Sequence, residues 1–378
     1  MVTAPGARAA VLPVLLLACA VTFTETIFYS ALAPLLPWFA ERFDLSKTAA
    51  GLLSASYAIG ALLTALPSIL VARRLGVRAT VVAAMLVIAF ASIAFGLAAE
   101  PWIAFAARFG QGAGSALAWT AALAWLTTVA PRARRGEAIG YALGAAFAGA
   151  LLGPVLGAAA EALGLARVFV TVGALAALVA VWAAATPAPA AAGGMRTAFA
   201  RPDRALLLSV WVIALAGGLV GLLGVLAPLR LDRLGWTALG VGLVFTAAAA
   251  LQALVNPALG RSADRLGRSA PLRAGLGLAA ALSLLLVLDA GKWLYGVLVL
   301  GAALAYGALW TPGMAFLSDS VEQHGLDQIV GFGLMNVAWA PGFALGAAAG
   351  GGIADATSDA LPYLLATAVC LLTLAGLA

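Results

Sequence analysis

Apolar residues run along this chain in long blocks, broken by short clusters of glycine, proline and charge. The blocks fall at 10–39, 45–71, 77–98, 101–130, 136–162, 165–185, 205–230, 237–260, 270–289, 293–318, 327–354 and 360–378. A helix needs about 20 mostly apolar residues to cross a bilayer, and each block comes near or exceeds that length. None shows the alternation over ~10 residues that marks a strand of a transmembrane barrel. Lipid offers no partner for free backbone polar groups, which leaves helices. The pattern therefore predicts an all-α membrane protein with twelve transmembrane helices.

Composition supports this class and removes others. Hydrophobic residues make up 64% of the 378 and charged residues 10%. A soluble domain runs near ~45–50% and ~25%. Mean hydropathy is +1.07. A soluble enzyme, a disordered chain and a disulfide scaffold are excluded. Net charge is +6, but basic loops on one side of a membrane give the same total, so no nucleic-acid partner is expected. Cys19 and Cys370 both lie in apolar runs and carry no redox message.

The Lys and Arg residues sort by side. Fourteen fall in one alternate set of segments: Arg8, Arg73, Arg74, Arg78, Arg132, Arg134, Arg135, Arg196, Arg201, Arg204, Arg261, Arg265, Arg268 and Arg273. Six fall in the other: Arg42, Lys47, Arg167, Arg230, Arg233 and Lys292. The positive-inside rule places both termini in the cytoplasm of a cell whose plasma (inner) membrane holds the protein. The run through Leu16-Leu17-Ala18-Cys19 faintly suggests a lipoprotein signal. It continues apolar to Trp38, so it is expected to stay as span 1. The chain stops within span 12, and the natural polypeptide is expected to run a little further.

The interval Thr186–Arg204 is the longest polar stretch and separates six spans from six. Features recur across it. Arg74-Leu75-Gly76 after span 2 is matched by Arg265-Leu266-Gly267 after span 8, and Gly153-Pro154 in span 5 by Ala340-Pro341 in span 11. Two pseudo-symmetric six-helix bundles are expected, 1–185 and 205–378, joined by a cytoplasmic linker 186–204. Repeats of this kind place a transport site at the midplane between halves.

Four segments carry candidate chemistry. After span 8 comes Gly260-Arg-Ser-Ala-Asp264-Arg265-Leu-Gly267-Arg268. Here Gly267 permits a reversal, and Asp264 can sit against the positive end of a helix as a latch. The first-half counterpart has Arg73 at the acidic position, followed by Arg74 and Gly76. The loop after span 10 is acidic, with Asp319, Glu322 and Asp327, and offers Arg73 or Arg74 a bridge through Asp319. Solvated, unpaired charges remain the alternative. In span 4, Arg108, Gln111, Gly112 and Ser115 share one helix face. A buried arginine costs at least ~2.5 kcal/mol, so Arg108 should face the bundle or a wet cavity unless it snorkels to the headgroups. In span 5, Gly149, Gly153 and Gly157 form a stripe for close helix contact, and Pro154 favours a bend. In span 1, Glu25 sits near the midplane, with Pro34 and Pro37 beyond it. Every other acid maps to a loop or a helix end. Glu25 is thus either a proton-exchanging group or a protonated structural glutamate.

Together these segments resemble the major facilitator superfamily, and within it the twelve-helix drug:proton antiporters. The loop after span 8 resembles the superfamily's G-x-x-x-D-R-x-G-R, span 4 its R-x-x-Q-G-x-G-A-A, and span 5 the antiporter G-x-x-x-G-P-x-x-G-G with Ala158 at the last glycine. The resemblance implies that Arg108 takes part in proton transfer with Glu25. It also implies that the chain exports small amphipathic or cationic compounds in exchange for protons, working as a monomer in contact with membrane lipid. Candidate substrate contacts are Glu25, Tyr29, Gln111 and Trp119 in the first half, and Gln252, Asn256, Tyr306, Trp310, Asn336 and Trp339 in the second. Any of these can instead be packing. A facilitator or proton-coupled transporter of a sugar, amino acid or siderophore stays open, as does a non-transporting receptor. His324 maps to a loop. No P-loop, zinc spacing or Ser-His-Asp set appears, so no cofactor, metal or enzymatic activity is expected.

Overall fold

A computed structural model describes residues 5–131, 134–188, 204–266, 269–323 and 328–377. The elements are α1 (Pro5–Ser30), α2 (Leu32–Arg42), α3 (Lys47–Gly96), α4 (Pro101–Val129), α5 (Arg135–Leu163), α6 (Leu165–Ala185) and α7 (Arg204–Arg233). They continue with α8 (Ala238–Leu266), α9 (Ser269–Leu285), α10 (Lys292–Ala308), α11 (Trp310–Gln323), α12 (Gln328–Ala356) and α13 (Ala360–Gly376). Counting α1 with α2 and α10 with α11 as single broken crossings, and α3 as two, gives the twelve spans. Among the described residues, eight helices are long and apolar enough to cross a membrane by length and composition. One of them is the double-length α3.

Local chemistry sets the breaks. Pro34 has no N–H for the Ser30 carbonyl, and the helix interrupts at Ala31. Pro312 likewise follows the interruption at Leu309. Two expected spans run together in α3, but Gly76 at φ 79° reverses the chain between them. That conformation suits glycine because it has no Cβ. Ser46 caps α3 by accepting from the Ala49 N–H at 3.2 Å. Pro101 opens α4 at a position where no N–H is needed.

The helices pack as two six-helix bundles. In the first, α3 lies along α4 and α6, and α1 along α5; in the second, α7 lies along α12 and α9 along α13. The bundles meet chiefly where α3 touches α12 and α5 touches α8. The outer surface is apolar: Phe90, Leu254, Trp293 and Leu372 are each more than 70% exposed. A lipid-facing surface requires this, and a water-facing one would not tolerate it. The turn at Gly76, with exposed Arg73, Arg74 and Arg78, marks one end, here termed the basic face. The opposite end is the far face. There Lys47 opens α3, and Lys292 lies 6.0 Å and 5.8 Å from the rings of Trp236 and Trp293.

The glycine stripe on α5 faces the first span. A Cβ at Gly149, Gly153 or Gly157 would fall 2.5, 2.7 and 2.1 Å from the carbonyl oxygens of Phe23, Ile27 and Ala31. Thr22 reinforces this seam by donating to the Ala142 carbonyl at 2.9 Å. Gly157→Val should force α5 off this seam. Overpacking of this kind costs about 1–3 kcal/mol, and a lowered unfolding midpoint of the purified protein in detergent would show it. An unchanged midpoint would mean that the seam relaxes freely.

Candidate functional site

The centre of the first bundle holds two buried charges. Glu25 is 4% exposed and Arg108 2%. Glu25 comes from α1, and α4 supplies a stripe of Arg108, Gln111, Ser115 and Trp119, spaced so that all four lie on one side of the helix. Ser115 Oγ donates to Glu25 Oε1 at 2.7 Å, and Trp119 Nε1 donates to Oε2 at 2.7 Å. Thr26 Oγ1 adds a contact to Oε2 at 3.1 Å, and the Tyr57 hydroxyl from α3 donates to Oε1. Ser115, Trp119 and Tyr57 thus satisfy a carboxylate that would otherwise be costly to bury, while the one Thr26 hydroxyl proton goes mainly to the Thr22 carbonyl at 2.8 Å.

Arg108 does not pair with Glu25 directly. Its Nη1 donates to the Phe28 carbonyl at 3.2 Å and to Gln111 Oε1 at 2.8 Å. Gln111 in turn donates to Ser92 Oγ at 3.3 Å. The guanidinium lies 4.9 Å from the centre of the Tyr57 ring, within cation–π range. Tyr57 therefore touches both charges, one with its hydroxyl and the other with its ring face. Arg108 Nε has no hydrogen-bond partner although it is buried.

A cavity of ≈ 190 Å³ opens between the bundles beside this network. The first bundle gives it Tyr29, Ser30, Ser54, Arg108 and Pro154, and the second gives Phe245, Gln252 and Phe343. Tyr29 packs near Tyr57 of its own bundle with ring centres 5.1 Å apart, and across the interface it meets Trp339 and Phe343 at 5.6 and 5.7 Å. Glu25 does not line this cavity.

The family profile described as Major Facilitator Superfamily matches residues 18–215 and 206–378, nearly the whole chain. The chain belongs to the Major Facilitator Superfamily. Among solved structures, a crystal structure of the nucleoside transporter NupG is similar at a TM-score of 0.75. The match covers 96% of this chain and 98% of that one, with 11% identity, so the likeness is one of fold. No curated protein sequence matches the chain. The protein is a multi-pass membrane protein with a transporter fold.

Within this superfamily fold the expected site residues separate. Glu25, Tyr29, Arg108, Gln111, Trp119, Gln252 and Trp339 fall in the central network, the cavity wall or the aromatic cluster between them. Tyr306 does not; it is buried inside the second bundle, 2.6 Å from Ser283 Oγ. Trp310 packs against the apolar cluster of Ile213, Leu317 and Ala338. Asn336 is half-buried and is not part of the cavity wall. The side chains of Asn256, Asp264, Arg265 and Asp319 lie outside the described residues, as does the surrounding of Gly260. Gly267 and Arg268 are not described at all, so the two basic-face latches stay expectations. Tyr57, Ser54 and Phe343 were missing from the expected set. Tyr57 carried a weak signal, being a polar-tipped ring in mid-span, 32 residues from Glu25.

At the far face, polar contacts join the two bundles. Asp355 near the end of α12 accepts from the backbone N–H groups of Lys47 and Thr48 at 3.1 and 2.6 Å, and from Thr48 Oγ1 at 2.6 Å. An acid from the second bundle thereby caps the N-terminus of a helix in the first. Asp359 bonds to Lys47 at 2.6 Å and also to Arg233. Burial pushes the Asp359 carboxyl up, but the hydrogen bonds from Lys47 and Arg233 outweigh it and hold its pKa below the usual value. Replacing both acids with asparagine should loosen this clamp. These contacts are largely exposed, so each is worth about 0.2–1 kcal/mol, and far-face opening should rise several-fold. The check is labelling by an impermeant thiol reagent of Leu223→Cys, which lines the cavity, with Cys19 and Cys370 changed to serine. Unchanged labelling would mean that apolar contacts alone hold the face.

Proposed function

We propose that this protein is a proton-coupled secondary transporter of small amphipathic compounds. It works by alternating access, with the basic face in the cytoplasm and Glu25 as the proton site. The observation that carries this reading is a buried carboxyl group in the first bundle, in a network that includes Arg108 on the wall of a cavity shared by both bundles. Glu25 is held by groups from α1, α3 and α4. Tyr29 and Tyr57 touch rings of α12 in the other bundle. Rocking of one bundle against the other must therefore change the surroundings of the carboxylate. That is what coupling requires, because a ligand shifts a two-state equilibrium only through different affinity for the states.

Two directions of coupling are supported by different features. The Gly149–Gly153–Pro154–Gly157 segment resembles that of antiporters, and we propose export by proton exchange on that ground. Arg108 on the cavity wall favours a second reading, co-transport of a proton with an acidic or acceptor-bearing metabolite. Inside-out vesicles with an imposed pH gradient test both. Proton movement that depends on added compound is expected, and its direction relative to the compound separates exchange from co-transport. Transport indifferent to the gradient and to a protonophore would overturn proton coupling altogether.

A further inference from the structure

We infer that the central cavity selects small ligands with an apolar body and one anionic or acceptor group, and disfavours cations. The inference deepens the functional reading, since it takes the cavity as the transport site.

Three observations carry it. The first is charge. Among the described residues, Arg108 is the one charged group on the cavity wall. Glu25, the group a cationic ligand would need, does not line the cavity and already accepts from Ser115, Trp119 and Tyr57. The second is an open donor. Arg108 is 2% exposed, and its buried Nε lacks a hydrogen-bond partner. A guanidinium has five N–H donors in a flat fork that suits a carboxylate. Nη1 serves Phe28 and Gln111. The buried Nε has no protein acceptor. A buried donor without a partner is costly, a cost that a ligand oxygen reaching Nε would relieve.

The third observation is size and lining. The volume of ≈ 190 Å³ exceeds the about 150 Å³ that accommodates benzene in an apolar cavity. One ring or a short branched chain fits, with room for a small polar group. Phe245, Phe343, Leu223 and Pro154 supply apolar wall, while Gln252 and Ser54 supply neutral polar atoms. Gln252 is seated by Gly307, where a Cβ would fall 1.8 Å from its Nε2. The amide on the second bundle and the guanidinium on the first thus frame one cavity from opposite sides.

Three probes of nearly equal shape test the inference: benzoate, benzyl alcohol and benzylammonium. Their binding to the full chain in nanodiscs is measured by calorimetry near neutral pH, with empty nanodiscs subtracted. Benzoate is expected to bind tightest and benzylammonium weakest, at least about tenfold apart, since like charge beside Arg108 is unfavourable. This wild-type ranking needs no variant. Ala249→Leu, which adds apolar volume at the cavity wall and removes no polar group, should weaken all three probes. Arg108→Gln should erase the ranking. Benzylammonium binding as tightly as benzoate, no binding of any probe, or binding unaffected by Ala249→Leu would each overturn the inference. These measurements use no proton gradient. Loss of the ranking with gradient-driven transport intact would remove only the ligand class. An intact ranking without proton coupling would remove only the transport mechanism.

Discussion

Glu25→Gln is expected to abolish gradient-driven transport, by about a hundredfold or more, while leaving the protein folded and able to bind ligand. Glutamine has nearly the same shape. Its carbonyl oxygen can still accept from Ser115 and Tyr57, as Oε1 does now. Its NH₂ then faces Trp119 Nε1, which donates to Oε2 in the native protein. One donor–donor conflict of this kind costs about 1–3 kcal/mol, enough to lower the unfolding midpoint without unfolding the protein. The loss of function has a different origin. An amide has no proton to exchange, so the two bundle arrangements can no longer differ in proton content. Ligand exchange between equal concentrations on both sides needs no proton step and should persist. That contrast between lost driven flux and retained exchange is the signature of a coupling group. Equal loss of both would point to a structural role, and retention of both would remove Glu25 from the mechanism.

Much of this site was legible in the sequence because charge is scarce there. Glu25 and Arg108 stand out as charges in mid-span, and apolar surroundings make such residues costly unless they are used. The twelve spans were legible for the same reason: lipid leaves the backbone little choice. The stripe of Gly149, Gly153 and Gly157 announced a close contact, but its partner is named only by the fold. Tyr57 was not legible, since a tyrosine in a span is as often packing as chemistry. Tyr306 shows the converse. Helical periodicity assigns it to an inward face, yet a helix in a bundle has two inward faces, one toward its neighbours and one toward the other bundle. Tyr306 took the first, against Ser283. The clamp of Asp355 on Thr48 joins residues 307 apart, and no local pattern could pair them.

Arg108→Leu is expected to reduce transport at least as severely, through a different route that Arg108→Lys can resolve. Leucine leaves the Phe28 carbonyl and Gln111 Oε1 without their buried donor, at about 1–3 kcal/mol each. It also removes the positive charge next to Tyr57, whose hydroxyl donates to Glu25. Among the described residues, the network around Glu25 then holds no cation. Lysine restores charge but not shape. An ammonium can reach one of the two acceptors, but it cannot present a flat fork or stack on the Tyr57 ring. The lysine variant should therefore recover part of the proton coupling, together with a weakened preference for benzoate over benzylammonium. Coupling between the two sites is reciprocal. If an anion beside Arg108 and a proton on Glu25 favour each other, mixing benzoate with weakly buffered wild-type protein takes up protons. In Arg108→Leu that uptake should vanish. Proton release on mixing would instead mean that ligand and proton compete, the relation that exchange transport requires. The sign of this single equilibrium measurement thus decides between the two directions of coupling before any flux is recorded.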